Sequence, residues 1–175
     1  MDLGFAFDFR ARRVDGDLGR AVEQVWFARG TVPYRSEQIA PTGSTVVLLI
    51  LGDAITETSA TGVAVTSDVG LVIGPHTAPV TNAPHGETHA VGIVTTPVGG
   101  EAVVGRPPAG LRGRVAALAD VDAHLRELRA VLHDLADGGA DPEQLLDRAV
   151  AHLARSIDPD AAGPERVARA ARAVD

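Results

Sequence analysis

Thr45-Val46-Val47-Leu48-Leu49-Ile50-Leu51 is the stretch on which the fold turns. Pro41-Thr42-Gly43-Ser44 makes a turn in front of it, and Gly52-Asp53 breaks the chain behind it. A strand with one face in water alternates apolar and polar side chains, whereas a short run without a polar position reads as a central strand buried on both faces. Outward from this run the pattern stays β-like. Upstream, Leu3, Phe5, Phe7 and Phe9 share one parity and Gly4, Ala6, Asp8 and Arg10 the other, the period of two expected of a half-buried strand. Strand-like segments follow over Ala21–Arg29 and Val32–Ile39. Downstream, short β-favouring runs recur at Ala54–Ser59, Val63–Thr66, Leu71–Ile73, Val80–Asn82 and Thr88–Thr96. Many short strands with regular punctuation argue for a sandwich or barrel rather than alternating β and α units.

The period then changes. After the glycine-rich Pro97–Gly105 and the Pro107-Pro108 pair, Leu111, Val115 and Leu118 fall at helical spacing. Val121, Leu125, Leu128, Leu132 and Leu135 continue it as a narrow two-per-heptad seam, ended by Gly138-Gly139. Asp141-Pro142-Glu143-Gln144 supplies an N-cap, a proline at the first helical position and a glutamine at the third. Leu146, Val150, Leu153 and Ile157 follow at the same spacing, so the two segments predict an antiparallel helical hairpin. A third helix is expected from Pro164, with Val167, Ala171 and Val174 inward. The expected fold is α+β: a β unit over residues 1–118, a dimerisation hairpin over 119–158 and a linker helix within 159–175. Burying each seam residue contributes roughly 1.5 to 3 kcal/mol, a drive to find a partner surface that predicts a homodimer through the C-terminal helices.

With 23 acidic and 16 basic residues the chain carries a formal charge of -7, which opposes approach to a phosphate backbone. No cysteine is present, which excludes disulfides, thiol catalysis and thiolate metal sites and suits a reducing cytoplasm. The longest aliphatic run, Val46–Leu51, is far too short to cross a bilayer, and the start around Asp2 lacks the basic segment of a signal peptide. A cytoplasmic protein without membrane attachment is expected.

The order of features resembles the N-terminal sensor halves of AraC-type transcription regulators, in the bacterial group whose ligand is not assigned. The matching pieces are Val25-Trp26-Phe27-Ala28-Arg29, Pro33-Tyr34-Arg35, Ile39-Ala40-Pro41-Thr42-Gly43 before the aliphatic strand, and Leu51-Gly52-Asp53 after it. Val72-Ile73-Gly74-Pro75-His76-Thr77, the strand Ala90–Thr95 and Pro97-Val98-Gly99-Gly100 with the Leu111–Asp120 segment and the hairpin complete the series. The resemblance implies a cupin-like β-barrel followed by dimerisation helices, and a C-terminal helix-turn-helix domain that reads promoter DNA and is absent from this chain. The helix from Pro164, whose pattern stops at Asp175 without a C-terminal signal, would then lead into that domain.

His76, His85 and His89 with Glu87 invite a metal reading, since cupin barrels often hold a divalent ion through histidines and a glutamate. His85 and His89 flank Gly86 across a turn rather than lying one residue apart on a strand, so neither a metal nor another cofactor is expected. Ser36, Ser44, Ser59 and Ser67 sit in no strand-to-helix elbow, Gly99-Gly100 and Gly105 form no phosphate loop, and Asp15 and Asp17 flank a turn glycine. No catalytic group is expected. A small-molecule pocket in the barrel is the better expectation, with Trp26 and Tyr34 as walls and Glu37, His76 and His89 as polar candidates. Arg166, Arg169 and Arg172 recur every third residue and read as the solvated face of the last helix in preference to a contact with DNA phosphates in an intact regulator. The expected function is the effector-sensing and dimerisation half of an AraC-type regulator responding to an unidentified small molecule. The alternatives are a free-standing cupin-type metal enzyme (an isomerase or dioxygenase) and a solitary antagonist pairing with a full-length regulator.

Overall fold

The structure is a computed structural model that describes residues 7–121 and 123–158. Leu3 and Phe5, the expected third helix and the Arg166, Arg169 and Arg172 series lie outside the described residues. Among the described residues ten strands form two antiparallel sheets. The larger has the order β1 (Asp8–Arg13), β2 (Val22–Gly30), β9 (Thr88–Thr95), β4 (Val46–Ile50), β7 (Gly70–Ile73) and β10 (Val115–Ala117). The smaller runs β3 (Glu37–Ile39), β8 (Val80–Pro84), β5 (Ile55–Thr58) and β6 (Ala64–Ser67). Three α-helices among the described residues complete the α+β fold: α1 (Gly100–Val104), α2 (Ala123–Asp137) and α3 (Pro142–Ser156).

The aliphatic run becomes β4, hydrogen-bonded between β9 and β7. Its alternating side chains enter two different cores. Leu48 and Ile50 join Ile55, Leu71 and Ala90 between the sheets. Val47 and Leu49 join Val25, Phe27, Val91 and Ile93 on the opposite face, where α2 and α3 pack. The large sheet is thus the middle layer of three, and a strand in its centre has no solvent-facing position to fill with a polar residue.

The leucine seam closes the outer layer. Leu125, Leu128 and Leu132 of α2 are fully buried against the sheet and against Leu145, Leu146, Ala149 and Leu153 of α3. Val121 is buried and Leu135 half-buried in the same cluster. The surface assigned above to dimerisation is therefore enclosed within the protomer, because two helices lying on a sheet consume a narrow apolar stripe as fully as a partner chain would. The core is also continuous across residues 118–121, since Leu118 and Val121 belong to the cluster that holds both the sheet and the hairpin.

Local chemistry fixes the hairpin as its sequence indicates. Gly139 takes a left-handed φ of 84°, with Gly139 N–H donating to Ala136 O and Ala140 N–H to Leu135 O, the paired bonds of a Schellman end. Asp141 accepts from the Gln144 amide while the Gln144 side chain accepts from the Asp141 amide, each at 2.9 Å. Arg129 Nε of α2 donates to the Ile50 carbonyl at 2.9 Å, and Arg12 of β1 pairs with Glu143 and Asp147 of α3.

Two local expectations are corrected. Leu111, Val115 and Leu118 do not share a helix: Val115–Ala117 is β10, paired with Ile73–Leu71 on the edge of β7, and Leu118 only opens a single 3-10 turn, Leu118–Asp120. Gly113, at φ 67°, turns the chain there and donates to Pro75 O, so pairing with an open sheet edge overrides the local spacing. The glycine-rich segment, to which the sequence assigns no element, contains α1, whose Val103 and Val104 are fully buried. Of Val32–Ile39 only Glu37–Ile39 pairs, because Pro33 lacks a ladder donor. The sheets also do not close into a barrel. β6 packs against β7 and β10 along one side, whereas among the described residues β1 and β3 are unpaired edges of separate sheets on the other. Among the described residues no helix is long and apolar enough to cross a membrane.

Leu128→Ala should cost about 2 to 5 kcal/mol in urea unfolding. Leu128→Glu should unfold the protomer rather than yield a folded monomer, which circular dichroism alongside light scattering separates; a folded, monomeric Leu128→Glu chain would mean that the seam faces a partner.

Candidate functional site

Between the sheets, where their unpaired edges part, lies a cavity of about 650 Å³. Strand parity selects its walls. From the large sheet it receives Gln24, Trp26 and Ala28 of β2, Val46 and Leu48 of β4, and Thr88, Ala90 and Val94 of β9. From the small sheet come Glu37 and Ile39 of β3, Asn82 and Pro84 of β8, and Ile55 and Glu57 of β5. Phe7, Phe9, Tyr34 and Ile39 are exposed yet line the same cavity, which marks them as its mouth.

Trp26 is held by a missing side chain. It stands opposite Gly92 in the β2–β9 ladder, and a Cβ on Gly92 would fall 2.0 Å from Trp26 Cε2, so the indole lies on bare backbone. Phe9 covers it from β1 with ring centroids 6.0 Å apart. An aromatic wall of this kind needs glycine opposite it.

The polar groups form a cross-strand row. Glu37, Asn82 and Glu57 are register partners across β3, β8 and β5. Asn82 Nδ2 donates to Glu57 Oε1 at 2.6 Å, and the Tyr34 hydroxyl donates to Glu37 Oε2 at 2.9 Å. Glu57 is 1% exposed, and its second oxygen has no hydrogen-bond partner. His76 Nε2 and Thr88 Oγ1 are likewise buried without a partner, and both residues line the cavity. His76 Nδ1 lies 3.0 Å from the Gly74 carbonyl, which can only accept, so Nδ1 carries a proton and, in that tautomer of the imidazole, Nε2 is the acceptor. Burial pushes the Glu57 carboxyl up to about 7 from its ordinary 4.5, against the opposing Asn82 bond and helped by the charge of Glu37. Burial and the bond to Glu37 also raise Tyr34.

Four of the five ligand candidates named from the sequence, Trp26, Tyr34, Glu37 and His76, meet at this cavity. His89 does not. It follows Thr88 on β9 and so points to the other face, edge-on to Phe27 with centroids 5.6 Å apart, where burial and then Arg29 lower its pKa. His85 bonds Thr56 at 2.8 Å, on the opposite parity of β5 from Glu57, and Glu87 pairs with Arg29 at 3.1 Å. The histidines are scattered, and among the described residues no group of three or more His, Asp or Glu could hold a metal ion. Glu57, Asn82 and Thr88 were missed by sequence reasoning. A signal for Glu57 exists: in Ile55-Thr56-Glu57-Thr58 the acid occupies the same parity as the buried Ile55.

Residues 15–117 match the model of a family described as a domain of unknown function, DUF6597, and the chain belongs to that family. No curated protein matches the chain. Among solved structures, the EutQ protein of Clostridium difficile is similar at 5% sequence identity with a TM-score of 0.37, over 53% of this chain and 71% of that one.

Two outcomes are expected of this geometry. Because folded Glu57 holds its proton to about pH 7 while the unfolded residue releases it near 4.5, stability falls as pH rises through that window and levels off above it. Glu57→Gln should therefore match the native chain near pH 4.5 and exceed it by about 2 to 3 kcal/mol above pH 8 in urea unfolding; equal stability at both pH values would refute the buried carboxyl. Gly92→Ala should displace the indole, cost about 1 to 3 kcal/mol and red-shift the emission of Trp26, the chain's only tryptophan.

Proposed function

We propose that this DUF6597 chain is the effector-sensing part of an AraC-type transcription regulator, built as a cupin-like β-sandwich whose cavity binds a small molecule. The observation that carries the binding half is the cavity itself: apolar walls enclosing about 650 Å³, with three buried polar atoms left without a partner. A buried polar group without a partner costs about 1 to 3 kcal/mol, and three around one cavity are accounted for by a ligand that supplies the missing bonds. The regulatory half is supported by the sequence resemblance, whose Trp26 and Pro33-Tyr34 pieces line or flank the cavity. The protein acts by binding rather than catalysis, in the cytoplasm. Promoter DNA would be read by a separate helix-turn-helix domain, since a charge of -7 disfavours contact by this one. Any homodimer would use surfaces other than the buried α2 seam, such as the outer faces of α2 and α3.

N-phenyl-1-naphthylamine, a neutral apolar fluorophore, should bind saturably at one site per chain, and Ala28→Trp, which fills the cavity, should abolish the signal. For the regulatory half, a reporter driven by the intact protein should change output with its ligand, and Ala28→Trp should remove the change. Absence of saturable binding would remove the sensing assignment, and a constant output would remove the regulatory one.

A further inference from the structure

The charges around the cavity are all of one sign. Among the described residues Glu23, Glu37 and Glu57 line it, and no Arg or Lys does. Glu23 sits toward solvent with Arg13 3.9 Å away, so its charge is shared outside. Glu57 has no such relief. Asn82 from β8 donates one bond to it, and the groups that share the cavity are Glu37 with its Tyr34 partner from the β3 side, Trp26 and Thr88 from the large sheet, and His76. None is an Arg or Lys. An enclosed carboxylate is tolerated only when paired or when it keeps its proton, and the raised Glu57 carboxyl is what remains when no partner is present.

The other two unpartnered atoms point to the same kind of ligand. His76 Nε2 accepts in the tautomer that its Nδ1 bond selects, and Thr88 Oγ1 can accept. Every buried atom left open on this cavity can therefore receive a hydrogen bond. Trp26 and Phe9 add ring faces that attract positive charge. An anionic ligand would meet the Glu37 carboxylate with no Arg or Lys on the cavity to offset it, and a neutral one could bond Glu57 but would leave any charge on it uncompensated.

From this we infer that the cavity selects an organic cation: an ammonium group on an apolar body, with the nitrogen donating to Glu57 Oε2 and the body lying along Trp26 and the aliphatic walls. The inference rests on the sensing-pocket reading and narrows it to one ligand class. Binding should then be coupled to pH, because the cation needs Glu57 ionised and must displace its proton below about pH 7.

The test uses three probes of one shape: 4-phenylbutylamine, 4-phenyl-1-butanol and 4-phenylbutyrate, titrated while Trp26 emission is followed. Near pH 8 the amine should bind at least about tenfold more tightly than the alcohol, with the carboxylate weakest. Near pH 5.5 the advantage of the amine should be lost. Glu57→Gln should level amine and alcohol at pH 8 while leaving alcohol binding in place; the pH series on the native chain gives the same information independently of that variant. If the alcohol binds and the amine does no better, or if the preference survives Glu57→Gln, the cation inference fails and the pocket stands. If none of the three binds, the inference falls together with the pocket.

Discussion

Everything in this molecule depends on burial of both faces of β4. Val47 and Leu49 stand in the core beneath the helices, and Leu48 and Ile50 in the core between the sheets, each at most 4% exposed. A strand of this kind cannot be stable in a two-layer arrangement, since one face would put leucine and isoleucine side chains into water at roughly 1.5 to 3 kcal/mol each. The helical hairpin is thus a requirement of the sheet rather than an appendage to it. Arg129 shows how closely the layers are tied, reaching from α2 to the carbonyl of Ile50, where β4 ends.

The same alternation that fills one face leaves a space on the other. On β2 and β9, Val25, Phe27, Val91 and Ile93 pack under the helices, while between them Ala28, Ala90 and Gly92 present small or absent side chains toward the second sheet. Only 3% of the residues are aromatic, and the one indole lies flat on Gly92 instead of projecting across the gap. Cores normally close such gaps, because a void forfeits dispersion contacts along its whole lining. Here the gap persists and polar groups face it, with Glu57 among them, a residue that a purely structural core would replace by leucine. The combination of lost packing and an ionisable group held above its normal pKa is the pattern of a site maintained at the expense of stability.

How much of this was legible in the sequence follows from the range of the forces involved. Local chemistry was readable: the capping box at Asp141, the glycine stop at Gly139 and the two-sided strand at Val46–Ile50 depend on near neighbours, and each is present. The period of two also identified most strands to within a residue or two. What failed depended on distant partners. Val115–Ala117 is a strand only because the edge of β7 is open beside it, and the spacing of Leu111, Val115 and Leu118 contains nothing about that edge. His89 was assigned to the cavity by residue type, yet its face is set by register against Arg29 and Leu51. Glu57 and Asn82 were invisible as a pair, since 25 residues separate them and only the β5–β8 ladder brings them together.

The leucine seam shows why a helical pattern alone does not choose between partners. Val121, Leu125, Leu128, Leu132 and Leu135 would satisfy a coiled coil, but a hairpin folded on a sheet presents the same stripe with an apolar surface already tethered at high effective concentration. An intramolecular partner avoids the association cost of roughly 4 to 15 kcal/mol that a second chain must overcome, so when both are sterically possible the sheet wins. The consequence reaches the cavity. β2, β4 and β9 each carry cavity-facing side chains on one face and helix-facing ones on the other, so Trp26 lies between Val25 and Phe27, which touch the helical layer. A single sheet, buried under the helices on its other face, therefore forms the wall between whatever occupies the cavity and the hairpin behind it. Under the sensing reading, that shared wall is the shortest physical route from a bound ligand to the C-terminal helices.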